Sequence, residues 1–136
     1  MPKVKKQDVY FECRIAGVSF LNDDGSSRQN ALALLANVFH ENAEAFGEPE
    51  TRPNITLVLK REPENPYDAN AVGVYAKLER GLHQLGHIPR GHAEVLAPIM
   101  DAGQPTPCEL LSIGQAQGGK KLWGASIRVS WTEELV

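Results

Sequence analysis

The sequence predicts a small, mostly β (α+β) fold: an OB-like or SH3-like antiparallel barrel of about six strands, with two helices covering its ends. Three observations predict it. Apolar and polar side chains alternate in several short stretches, which is the period of a half-buried strand. Two longer stretches carry apolar residues at helical spacing instead. No strand–helix–strand rhythm and no internal repeat runs through the chain. With 136 residues, 42% hydrophobic and 23% charged, the chain has the size and composition of one globular domain. The reading is therefore a single domain over residues 1–136, with its core between about 8 and 132.

The first strand is signalled by Val9, Phe11, Cys13 and Ile15 alternating with Tyr10, Glu12 and Arg14. Gly17 ends it, and Ser19 and Phe20 open a polar turn through Asn22, Asp23, Asp24 and Gly25. A helix is expected over 27–46, with Ser27 as N-cap, Leu32, Leu35, Phe39 and Phe46 on one face, and Gly47 as the stop. Pro49 and Pro53 bracket an extended linker. Residues 55–59 and 71–75 then read as the two strands of a hairpin joined by a long, proline-stiffened loop. A turn at Arg80 and Gly81 leads to a short strand over 85–88. Pro89 starts a second helix with Ala93, Leu96, Ala97 and Met100 on one face and Gly103 as its stop. Two last strands, 108–113 and 122–131, flank a loop over 115–119. The second alternates cleanly, with Ala125, Ile127, Val129 and Trp131 facing one way.

Composition narrows the function classes. The longest apolar run, 31–36, is far too short to span a bilayer, so no membrane role is expected. Lys3, Lys5 and Lys6 lead into polar residues rather than an apolar stretch, so no export signal is read and a cytoplasmic location is expected. Cys13 and Cys108 sit in apolar strand contexts and read as reduced core thiols. A net charge of −3 argues against a broad, phosphate-coating footprint on nucleic acid, but leaves room for a pocket that takes one or two nucleotides.

Two clusters carry the chemistry. In the first, Arg61-Glu62-Pro63-Glu64-Asn65-Pro66-Tyr67-Asp68, two prolines fix φ and pre-order the loop, so its polar side chains are presented at low entropic cost. Asn65 and Asp68 can bond turn amides, which also fits a purely structural hairpin. Tyr67 beside Asp68 can equally stack on a ring and accept a hydroxyl. In the second cluster, Leu85-Gly86-His87-Ile88-Pro89-Arg90, the start of a helix with an arginine in its first turn suits a phosphate. His87 taken alone reads first as a satisfied edge histidine.

Together with Ala16-Gly17-Val18-Ser19-Phe20, these clusters resemble the HIRAN domain, with the loop motif through Ala71 and Val72 as the specific part. The resemblance covers most of residues 9–131. It implies an OB-like barrel, found fused to DNA-remodelling helicases and as a stand-alone bacterial protein, which in the helicases captures the 3′ end of single-stranded DNA. On that basis Phe20 stacks on a base. Arg61, Asn65, Tyr67 and Asp68 form the loop that holds the terminal nucleotide, with Asp68 accepting from its 3′-hydroxyl. His87 and Arg90 lie near the phosphates, where the family often has lysine in place of Arg90. Trp123 is assigned as a second stacking aromatic. Ser19 stands where DNA-binding members carry a basic residue, and the helix over 27–46 is a large insertion after Phe20.

The expected function is thus non-enzymatic binding of a single-stranded DNA end, or an RNA end, with no cofactor and no metal. An alternative is a protein-interaction module using the same groove or the inserted helix. A metal-dependent nuclease built on Glu62, Glu64, Asp68, His87 and His92 ranks third, because no His-Glu-x-x-His, Cys-x-x-Cys or phosphate-binding glycine loop is present.

Overall fold

The alternating segments all become strands, and in the computed structural model most run longer than their apolar cores. The structure describes residues 5–46, 55–78, 81–115 and 121–135, with the side chains of 41–46 and 135 left out. β1 is Lys5–Arg14, β2 Thr56–Arg61, β3 Val72–Leu78, β4 Gly81–His87, β5 Cys108–Gln115 and β6 Trp123–Leu135. The helices are α1, Arg28–Phe46, and α2, Arg90–Asp101. Gly47, the linker at Pro49 and Pro53, Arg80 and loop residues 116–119 lie outside the described residues.

Helix boundaries follow their expected signals. Ser27 caps α1, its Oγ accepting from the Asn30 N–H at 3.1 Å. Pro89 occupies the N-cap of α2. Past the end of α2, Gly103 turns left-handed (φ 82°) and its N–H donates to the Met100 carbonyl.

The strands form one six-stranded sheet in the order β1-β6-β5-β2-β3-β4, with every pairing antiparallel. β2 and β3 are the expected hairpin, in register from Leu57 opposite Ala76 to Arg61 opposite Val72. A partly open barrel is the expectation, and among the described residues the sheet is not closed by a ladder. β1 and β4 are the sheet edges, and they meet at one residue pair rather than along a ladder. Ala16 and His87 exchange backbone hydrogen bonds of 2.8 and 2.9 Å just beyond the end of β1.

That contact depends on Gly86. A Cβ there would collide with the carbonyl oxygen of Ala16 and come 2.7 Å from Ile15 Cγ2. The register of β4 on β3 also slips beside it, with Val74 opposite Gly86 but Tyr75 opposite Gln84, which leaves Leu85 extra and turns it fully into the core.

The core is continuous across sheet and helices. Leu57, Val72, Val74, Leu85, Ile127 and Val129 meet Leu32, Leu35 and Ala36 of α1 and Ala93 and Leu96 of α2. Each fully buried aliphatic side chain contributes roughly 1.5–3 kcal/mol. α1 packs against β3, β4, β5 and β6 and contributes to the core. Among the described residues no helix is long and apolar enough to cross a membrane.

Two outcomes are expected. Gly86→Ala should destabilise the fold by about 1–3 kcal/mol in urea denaturation, since its methyl group has no space beside Ala16. The second concerns the thiols. Burial pushes Cys13 up to about 11, and burial aided by Cys13 and Glu109 pushes Cys108 up to about 12, from an ordinary 9.0. A raised thiol pKa favours the protonated form in the folded state. Its stabilising contribution is therefore complete below pH 9 and is lost as pH climbs toward 11 and 12. Iodoacetamide labelling at about pH 8 should be slow in the native protein and fast once it is unfolded, and stability should fall as pH rises beyond that range.

Candidate nucleic-acid interface

One groove of about 1090 Å³ gathers both chemical clusters. Three stretches of chain line it: the turn after β1 with Gly17, Phe20 and Leu21, the β2–β3 loop from Arg61 to Asp68, and the end of β4 with the start of α2. The Ala16–His87 bridge brings the first and third of these together. Phe20, 68% exposed, and Tyr67, 89% exposed, are both groove residues. Exposing two large rings on one concavity costs apolar burial, which is the usual mark of a surface that stacks on something else.

The loop is held from below. Arg61 continues β2 and turns its guanidinium back: Nη1 donates to the Ala71 carbonyl at 2.9 Å, Nη2 to the Ala69 carbonyl at 3.1 Å and Nε to Asp101 at 2.9 Å. The bond to Arg61 lowers the Asp101 carboxyl below its ordinary value. Arg61 is thus a clamp between the loop and the end of α2. Asn65 is also committed to the loop, its Oδ1 accepting from the Tyr67 and Asp68 amides at 2.9 and 3.2 Å. Asp68 accepts from the Asn70 N–H through Oδ1.

Glu62 joins this loop to β4. Its carboxylate accepts from Asn65 Nδ2 at 3.1 Å and lies 3.0 and 3.1 Å from His87 Nε2. A carboxylate can only accept, so Nε2 carries the proton in that contact. The space is made by Gly73, which pairs with His87: a Cβ on Gly73 would sit 2.6 Å from Glu62 Oε2 and 2.9 Å from the Tyr75 ring. Gln84 completes the group, accepting from the Tyr75 hydroxyl at 3.4 Å and donating to the Gly86 carbonyl at 3.2 Å. Burial, with the Glu62 charge adding to it, raises the Tyr75 hydroxyl above its ordinary value.

Charge in the groove is nearly balanced. Arg28, Arg61 and Arg90 face Asp23, Glu62, Glu64 and Asp68. Arg28 is buried and Arg61 is paired, so among the described lining residues Arg90 is the exposed arginine. It stands at the start of α2, where Pro89 makes no side-chain cap. Gly91 beside it has open space around its Cα. The His92 and Ala93 amides bond the Pro89 carbonyl, so the Arg90 and Gly91 amides stand with the Arg90 guanidinium at this helix start, groups of the kind that suit an anion.

The structure therefore brings Phe20, Arg61, Asn65, Tyr67, Asp68, His87 and Arg90 into one groove. Ser19 is exposed in the same turn but does not line it. Trp123 is elsewhere. It packs against the core at the start of β6, and its backbone N–H and C=O both bond the side-chain amide of Gln29. His92 also points away, stacked on Phe11 with ring centroids 4.3 Å apart. Among the described residues, no three His, Cys, Asp or Glu side chains are grouped to hold a metal ion. Gln84 and Arg28 are not singled out from sequence, and Glu62 enters there only as a candidate metal ligand, not as the partner of His87. For Glu62 a signal existed, since it sits inside the loop motif, but its partner His87 is 25 residues away.

Residues 10–116 match the HIRAN domain. The chain belongs to the HIRAN domain family. HIRAN domains are known as modules that bind DNA ends and are typically not catalytic. The fold is similar to the crystal structure of the HIRAN domain of human HLTF, with a TM-score of 0.54 and 18% identity over 90% of this chain and 74% of that one. It is equally similar to a Lactobacillus plantarum protein, with a TM-score of 0.55 and 19% identity over 93% of this chain and 99% of that one. A rice (Oryza sativa subsp. japonica) Fanconi-associated nuclease 1 homolog is 33% identical over 86 residues. Those cover 62% of this chain, which spans only 8% of that protein's length.

Glu62→Ala should release both Asn65 and His87. The expected result is a stability loss of about 1–2 kcal/mol by thermal or urea denaturation, the size of a few partly exposed hydrogen bonds. Faster amide hydrogen exchange at Tyr67 and Asp68 should accompany it.

Proposed function

We propose that this HIRAN domain binds the 3′ end of single-stranded nucleic acid in the groove between the Phe20 turn and the Tyr67 loop, without catalysis. The observation that carries the reading is the pairing of two exposed rings, Phe20 and Tyr67, with the exposed Arg90 at the start of α2 in a single concavity. Base stacking on such rings contributes roughly 1–3 kcal/mol per base and tolerates any sequence. Arg90 and the first amides of α2 take the phosphate next to the end. Asp68, with one carboxylate oxygen already on the Asn70 amide, accepts from the terminal 3′-hydroxyl. A 3′-phosphate would instead meet the carboxylates of Asp68, Glu62 and Glu64 and be repelled.

A protein-partner reading rests on a different surface. Leu34 and Val38, four residues apart on α1, are exposed apolar side chains on one helix face. They lie outside the groove, so the two readings are separable by mutation.

The test is fluorescence anisotropy with a short single-stranded DNA carrying either a 3′-hydroxyl or a 3′-phosphate. Micromolar-range binding of the hydroxyl form is expected, with loss on 3′-phosphorylation and on Tyr67→Ala. A plot of log affinity against log salt should have a slope of about −1, as one or two phosphate contacts require. A ribose 3′ end run in parallel reports whether RNA is accepted. Equal binding of both 3′ forms would overturn end recognition, and no binding of either would move attention to Leu34 and Val38.

A further inference from the structure

Among the described residues, Arg28 is the charged side chain in the buried class, at 7% exposure, and neither the loop motif nor the stacking rings account for it. It is the first residue of α1, the helix that follows the Phe20 turn. Its Nη1 donates to the Gly17 carbonyl at 2.8 Å, and its Nε donates to Asn22 Oδ1 at 2.8 Å. The same Gly17 carbonyl accepts the Phe20 N–H at 3.2 Å, so the guanidinium and the Phe20 amide share one acceptor. Gly17 itself is left-handed (φ 69°), and a Cβ on it would stand 3.0 Å from Arg28 Nη1 and 3.5 Å from the Phe20 ring. The turn that presents Phe20 is therefore built around this guanidinium.

The next residue continues the hold. Gln29 Nε2 donates to the Val18 and Trp123 carbonyls, each at 3.0 Å, and Oε1 accepts the Trp123 N–H at 2.7 Å. Both capacities of one amide thus tie the Phe20 turn to the start of β6. Burial lowers the Arg28 guanidinium below its ordinary value, and the Glu62 carboxylate of the β2–β3 loop acts in the opposite direction. Glu62 in turn carries Asn65, whose carbonyl oxygen fixes the Tyr67 and Asp68 amides.

We infer that Arg28 and Gln29 are positioning residues of the groove: the start of α1 sets where the Phe20 ring stands relative to the Tyr67 loop. α1 then serves the site as well as the core, for the insertion brings a fork of donors under a turn that is otherwise exposed. Arg28 touches no ligand in this scheme. Only its effect on affinity rests on the proposed end binding.

The test separates the two. The chain has four phenylalanines, so protein labelled with 4-fluorophenylalanine gives four ¹⁹F resonances, and Phe20→Leu assigns the relevant one. In unliganded protein, Arg28→Met is expected to shift the Phe20 resonance toward its unfolded position while those of Phe11 and Phe39 stay in place. Arg28→Lys, which keeps charge without the fork, should give an intermediate shift. Gln29→Ala should move the same resonance and serves if Arg28→Met does not fold. Affinity for the 3′-hydroxyl oligonucleotide should fall on the order of tenfold in the same variants, the equivalent of losing one stacking contact. A folded Arg28→Met or Gln29→Ala with an unmoved Phe20 resonance would overturn the positioning role. A selective Phe20 shift in a protein that binds no oligonucleotide would support positioning while overturning the end-binding reading.

Discussion

The contact on which the rest of the molecule depends is the backbone exchange between Ala16 and His87. It joins the two edges of the sheet at a single point, and both residues line the groove. The bridge brings the turn carrying Phe20, just beyond β1, beside the end of β4. Gly86 allows the approach because no Cβ stands between the two backbones. A residue beyond it, His87 then spends its backbone on the bridge and its imidazole on Glu62, so one position ties edge to edge and strand to loop.

The groove is rigid for reasons that differ on each side. The loop is fixed by Pro63 and Pro66, by the Asn65 side chain folding onto its own backbone, and by the Arg61 clamp to Ala69, Ala71 and Asp101. The Phe20 turn has no proline and is held from outside, by the first residues of α1. Pre-ordering both sides lowers the entropy lost on binding, which matters for a site that offers few charged contacts. Its three arginines are outnumbered by four carboxylates, and two of the three are engaged inside the protein. In the proposed end binding, affinity would come from stacking and shape more than from phosphate neutralisation, as suits a chain of net charge −3.

Local signals accounted for most of the fold. Alternation located β1 and β6 and the side of each that is buried, the two prolines with Asn65 located the hairpin loop, and Ser27 and Gly103 located helix ends. Strand lengths were underestimated for β4, because its first residues carry no alternating apolar pattern and are strand only through pairing with β3. The site was legible where it is contiguous in sequence, from Arg61 to Asp68 and from His87 to Arg90. Trp123 does not line the groove. An aromatic near a strand end looks alike whether it faces a ligand or the core, and here its side chain packs against the core while Gln29, 94 residues away, holds its backbone.

What the sequence by itself determined is therefore the local chemistry: an alternating β framework, a stiff polar loop with Tyr67 and Asp68, and a helix start with Arg90, each set by neighbours within a few residues. Only the tertiary structure decided that the sheet edges touch at Ala16 and His87, that Glu62 pairs with His87, and that Arg28 is buried beneath Phe20. The physical reason is range. Turn propensity, capping and side-chain alternation act over a few residues. The pairings that assemble the groove join positions 71 residues apart for Ala16 and His87, and their energy exists only after the chain has closed on itself.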